Sequence, residues 1–125
     1  MIEKIECVIE LPPRTKKNSQ RILKAGNRMF IAPSAQYKQY EKDCAWWLNR
    51  FRDTNIDFPV NVKCLFYMPT KRKCDLTNLL EAIDDILVHY NILADDNFSI
   101  IQSHDGSRVF VDKQNPRTEI LIEKA

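Results

Sequence analysis

The chain has 125 residues, 44% of them hydrophobic and 10% aromatic, and a formal net charge of +2. That length supports one ordinary hydrophobic core, and the composition excludes an intrinsically disordered chain. With no apolar run of membrane-spanning length and no legible signal peptide, a reduced, cytoplasmic protein is expected.

The elements follow in chain order. Ile2 to Leu11 alternates imperfectly, with Ile5, Cys7, Ile9 and Leu11 on one face, and reads as a strand ended by Pro12-Pro13. Arg14 to Arg28 reads as a cationic polar loop, and Met29-Phe30-Ile31 as a short extended piece. Ser34 is placed as the N-cap of a first helix whose Tyr37, Tyr40, Cys44, Trp47, Leu48 and Phe51 recur at helical spacing, and which ends before Asn55. Val60 to Met68 is the clearest strand, with apolar groups on both faces and therefore a central place in the sheet. Pro69 to Cys74 is a basic loop, Asp75 to about His89 a second helix, and Tyr90 to Asn97 a turn. Phe98 to Val111 and Arg117 to Glu123 read as two strands joined as a hairpin through Asp112–Pro116. The expectation is a single small α+β domain spanning residues 1–125. A mixed sheet of about four strands carries two main helices, in the order β-α-β-α-β-β.

Cys7, Cys44, Cys64 and Cys74 include no CxxC pair, and only His89 and His104 are available beside them, so buried thiols are expected and a structural zinc site is not. The two histidines read as structural. Trp46 and Trp47 are adjacent on a helix, so one is expected in the core and the other at an interface.

Charge is segregated along the chain. Leu11 to Tyr40 carries seven Lys or Arg and no acid; Cys74 to Ser107 carries seven Asp or Glu and no Lys or Arg. Such a division suits a charged ligand, and a phosphodiester carrying a metal in particular. On the second helix Leu76, Leu79, Leu80, Ile83, Ile86 and Leu87 form the core stripe, while Asp75, Asn78, Glu81 and Asp85 fall along a neighbouring edge. Ala82 would leave room before that edge, and Asp84 and Thr77 are expected to face solvent. The same residues admit a plainer reading, in which Asp75 caps the helix and Asp95-Asp96-Asn97 is turn chemistry. A hard cation such as Mg²⁺ needs only one or two carboxylates with water and phosphate, so two or three converging acids would suffice.

The run Met68-Pro69, Lys71-Arg72-Lys73, Asp75-Leu76, Asn78-Leu79, followed by Leu93 and Asp95-Asp96, resembles RusA-type Holliday-junction resolvases, which are often encoded by prophages. The order of elements and the length resemble that family over almost the whole chain. The resemblance implies a homodimeric endonuclease, dependent on Mg²⁺ (Mn²⁺ may substitute), that resolves four-way branched DNA by paired symmetric nicks in recombination and repair. It assigns Asp75 and Asp96 to catalysis and metal binding, with Asp95 beside Asp96, and Lys71, Arg72, Lys73 and Asn78 to DNA. Thr77 stands where the family has an acid, and Glu81 where it has a lysine, so Glu81 is expected to take over part of the metal site. The cationic loop adds Arg14, Lys16, Lys17, Asn18 and Arg21 as DNA contacts. The alternatives are a branched-DNA-binding protein that does not cut, a flap or general structure-specific nuclease, and a small basic protein that only packs against a protein partner.

Overall fold

The computed structural model describes residues 4–16, 21–26, 28–32 and 34–125, with residues 21–25 and 28–32 described as backbone alone. Five strands form the main sheet: β1 (Lys4–Ile9), β4 (Val60–Met68), β5 (Ile101–Ser103), β6 (Arg108–Val111) and β7 (Arg117–Lys124). Two further strands, β2 (Arg21–Ala25) and β3 (Arg28–Ala32), pair antiparallel as a separate ribbon. The helices are α1 (Ala35–Asp43), α2 (Ala45–Leu48) and α3 (Leu76–His89), with a 3₁₀ turn over Asn49–Phe51. The α+β class with a mixed sheet is as expected, with more strands than the sequence suggested.

In the main sheet β7 lies between β1 and β4, antiparallel to both. The other edge of β4 is shared by β5, opposite Val60–Asn61, and β6, opposite Leu65–Met68, both parallel to it. The period-2 pattern explains which face is buried. Ile5, Cys7 and Ile9 of β1, Val62, Cys64 and Phe66 of β4, and Ile120 and Ile122 of β7 share one core with α3. From α3 that core receives Leu79, Leu80, Ala82, Ile83, Ile86 and Leu87. Asn91 adopts φ 53° just past the helix, and its N–H bonds Val88 O at 2.9 Å, which ends α3 by a left-handed turn that Asn tolerates.

Several expectations are corrected. The segment 14–28 is not wholly loop, because β2 begins at Arg21. Residues 98–111 do not form one strand: Phe98 lies in a turn, and Gly106, at φ 88°, separates β5 from β6. Nor do β6 and β7 form a hairpin, since β4 lies between them. A hairpin would leave one long edge of β4 unpaired, and buried backbone donors and acceptors require partners. The 112–116 loop is closed instead by Asp112, which accepts from Gln114 N and Asn115 N and pairs with Arg117 at 3.0 Å. The first helix is also broken at Cys44, with the chain continuing as α2 and the 3₁₀ turn.

Cys7, Cys44 and Cys64 are buried and Cys74 half-buried, and none of the four is in a disulfide. Burial pushes the Cys7 thiol up to about 11 and the Cys44 thiol to about 12. Trp47 packs against the core, whereas Trp46 is 85% exposed.

The two helix caps behave differently. Ser34 accepts the Tyr37 N–H at 3.0 Å, as an N-cap should, while the Asp75 side chain makes no cap hydrogen bond at all. Ser34→Ala is therefore expected to cost about 1 kcal/mol in urea unfolding. Asp75→Asn should stay within about 0.5 kcal/mol of wild type, in the range of ordinary surface substitutions. An equal loss in both variants would contradict this division.

Candidate active site

β4 delivers the chain to Met68, and the following loop presents Lys71, Arg72 and Lys73 to solvent immediately before α3. Asp75 has the extended backbone of an N-cap, φ −80° and ψ 128°, and its carbonyl accepts the Leu79 N–H at 3.2 Å. Its side chain turns away. Oδ2 accepts from Asn78 Nδ2 at 3.3 Å, and the residue is exposed. A carboxylate at the positive end of a helix, not spent on capping, is available to an external partner.

Along α3, Glu81 is exposed and Asp85 half-buried. Lys16, from the segment after β1, forms an ion pair with Asp85. The space in front of Ala82 is not open: Ala82 is fully buried, and the Tyr37 hydroxyl donates to its carbonyl oxygen at 3.1 Å. Burial, followed by the charges of Glu41, Asp85 and others including Glu81, holds the Tyr37 hydroxyl firmly protonated. Asp84 does not face solvent. It is 8% exposed and pairs with His104 Nε2 at 2.9 Å. Burial pushes its carboxyl up, against the opposing hydrogen bond and charge of His104. His104 is thus held against a buried carboxylate of α3.

The third group of acids sits on a turn held at both ends. Ile56 N donates to Ile92 O and Ala94 N to Ile56 O, both at 2.9 Å, with Ile92 and Leu93 buried. Beyond the turn, Val60 N donates to Ile100 O at 2.8 Å, and Ile100 and Ile101 are buried. Within it, Asp95 accepts from Asp96 N at 2.7 Å and from Asn97 Nδ2 at 3.1 Å. Asp95 therefore organises the turn. Asp96 is exposed, yet partial desolvation, its bond with Asp95, and the charges of Asp85 and Asp95 all push its carboxyl up. The end of α3 and the turn face one another closely enough for like charges to be felt.

Arg14, Arg72 and Lys73 share a cleft of about 290 Å³, floored by Thr15, Tyr37 and Pro69. The sequence treated the basic triplet and the Arg14 loop as two surfaces; the fold brings Arg72 and Lys73 together with Arg14 in one cleft, which Cys74, the residue before Asp75, also lines. Lys17 and Asn18 lie outside the described residues, as does the side chain of Arg21. A larger concavity of about 640 Å³ lies on the uncovered side of the sheet, between Trp46 and Val8, Leu65 and Leu121. Its Glu6, Glu10 and Glu119 are interspersed with Arg50 and Lys63, so no one sign of charge dominates it.

Among the described residues no three His, Cys, Asp or Glu side chains are grouped tightly enough to hold a metal between them. Asp75 and Asp85 are ten residues apart on one helix, about 15 Å at about 1.5 Å per residue, and so cannot share an ion. The all-oxygen set nevertheless suits a hard cation with mostly water and phosphate ligands, which asks for one or two carboxylates at a time. The Lys16–Asp85 and Asp84–His104 pairs were not foreseen. Their partners are 69 and 20 residues apart, and no local pattern links them.

The raised carboxyl of Asp84 gives a pH prediction. Its folded value lies above its unfolded value of 3.8. Protonated Asp84 therefore favours the fold; that contribution is complete below 3.8 and is lost as the pH rises through the raised value. Asp84→Asn removes this dependence. Its urea midpoint should gain on wild type as the pH rises above about 4, and a difference that stays constant with pH would contradict the assignment.

The model of the family Endodeoxyribonuclease RusA matches residues 10–123. One curated relative, Crossover junction endodeoxyribonuclease RusA of Aquifex aeolicus (strain VF5), is 26% identical over 109 residues, covering 86% of this chain and 83% of that protein.

Proposed function

The chain belongs to the RusA family of endodeoxyribonucleases, and from that premise we propose that it resolves four-way DNA junctions by paired, metal-dependent nicks. The observation that carries this reading is Asp75: an N-cap aspartate that does not cap, one residue past Cys74 of the cationic cleft. The name of the Aquifex relative agrees with it.

In this reading Arg14, Lys71, Arg72 and Lys73 hold the backbone phosphates flanking the scissile one, which fixes register without reading sequence. Asp75 and Asp96 would be the principal protein ligands of Mg²⁺, with Mn²⁺ as a substitute. Asp95 holds Asp96 in place through the turn, and Glu81 contributes from the exposed edge of α3. Bound Mg²⁺ would lower the pKa of a coordinated water and offset charge on the scissile phosphate. Lys16 offsets one of the carboxylates by pairing with Asp85, which limits the mutual repulsion that Asp96 must bear. Water attacks phosphorus, and the ester oxygen on the opposite side leaves. A junction is two-fold symmetric, so paired nicks call for two such sites and hence for a C2 homodimer.

Asp75→Asn and Asp96→Asn are each expected to slow cleavage of a labelled four-way junction by about a hundredfold or more, the loss of several kcal/mol of charge stabilisation. Junction binding should be retained. Cleavage at the wild-type rate by both variants would overturn the site, and full activity in Glu81→Gln would remove Glu81 from it. Replacing Lys71, Arg72 and Lys73 together by Gln should lower the slope of log affinity against log salt by about 3, close to one unit per lost phosphate contact. An unchanged slope would place the DNA elsewhere.

A further inference from the structure

Phe98 lies two residues beyond Asp96 and is 88% exposed, the most exposed large apolar side chain among the described residues. An aromatic ring left in water forgoes the burial that usually accounts for its presence. It is also not on a loose loop tip. Asn97 fixes the turn from both sides: its carbonyl accepts Ile100 N at 3.0 Å and Ile101 N at 2.9 Å, and its side-chain oxygen accepts Ser99 N at 2.9 Å. Ile100 and Ile101 are buried immediately after it, and Ile92 and Leu93 before the turn. The ring is therefore presented outward by an anchored turn that also carries Asp95 and Asp96.

We propose that Phe98 is a stacking element that packs on an unstacked base at the branch point and so sets the neighbouring phosphate at the cation site that Asp96 helps to form. This rests on the junction-cutting reading of the site and adds to it the basis of selection for branched over continuous DNA. The chemistry favours this occupant. Every base offers a π face to a phenyl ring, so the contact is tolerant of sequence. In continuous duplex those faces are covered by neighbouring base pairs, and opening a step for an apolar wedge has an energetic cost. At a crossover the terminal pairs of each arm can be unstacked without opening a continuous helix. A ring fixed beside the cleaving acid would then bring the scissile phosphate of a branch, and not that of a plain arm, to Asp96. Phe98 is on this account a positioning residue, since it acts on the base and not on the reacting phosphate.

The test uses the full chain in EDTA, so that it reads binding apart from cleavage. The probes are a synthetic four-way junction with 2-aminopurine at positions flanking the crossover, and a linear duplex with the sequence of one arm. Wild type should change the 2-aminopurine emission at a branch-point position. Phe98→Ala should abolish that change and weaken junction binding roughly tenfold, the size expected for one lost stacking contact, while leaving duplex binding unaltered. Phe98→Trp should restore both signals. Because Phe98 is exposed, loss of folding is not expected, and circular dichroism checks it. Wild-type emission and affinity in Phe98→Ala would overturn the proposal, as would an equal loss on junction and duplex. If wild type cuts no junction under any metal but the emission change still depends on Phe98, the cleavage reading fails and the stacking contact stands.

Discussion

The packing of α3 against the face of β4 determines where Asp75, Glu81, Asp84 and Asp85 lie. β4 is paired along both edges, by β7 on one side and by β5 and β6 on the other. Its Val62, Cys64 and Phe66 share a core with six apolar residues of α3. A helix held by that much buried surface cannot rotate without exposing it. Its remaining edge is thereby fixed, with Asp75 exposed at one end and Asp85 and Lys16 a further ten residues on. The turn carrying Asp95 and Asp96 is tied to the same core through Ile92, Leu93, Ile100 and Ile101. The fold thus brings the acids of the turn within electrostatic reach of Asp85, while the hydrophobic core offsets the cost of holding like charges near each other.

The cationic side arises from the same constraint. The loop after β4 cannot extend away, because α3 must return along the sheet, so Arg72 and Lys73 are left beside Arg14 from the end of the first strand segment. Cations on one flank and carboxylates on the other suit a phosphate that bears a metal. Lys16 belongs to the same arrangement: it comes from the basic stretch yet pairs with an acid of α3. Charge segregation in the sequence becomes apposition in the fold.

The parts governed by local pattern were legible in advance. The β4 strand, the helix after Asp75 and the Ser34 cap all follow from spacing within about ten residues, and all are present. What failed depends on partners distant in sequence. The final two strands look like a hairpin because their connection is short and turn-rich; only the unpaired edges of β4 make the intercalated order favourable. Asp84 falls at the margin of the helical stripe and looks solvent-facing until His104 arrives from the strand side to pair with it. Family resemblance pointed to Asp75 and Asp96. The plainer reading of Asp95-Asp96-Asn97 as turn chemistry holds for Asp95, while nothing in the sequence pointed to Phe98, whose meaning lies in its exposure.

In the proposed function, the acids of α3 and the 95–96 turn form a cation site. The most direct measurement is the progressive broadening of backbone amide resonances on addition of Mn²⁺ to the free protein. Residues around Asp96, Asp95 and Asp75 should broaden first, and Mg²⁺ in excess should reverse the effect. Broadening that begins instead around Glu6, Glu10 and Glu119 on the far side of the sheet, or that is spread evenly over all exposed acids, would contradict it.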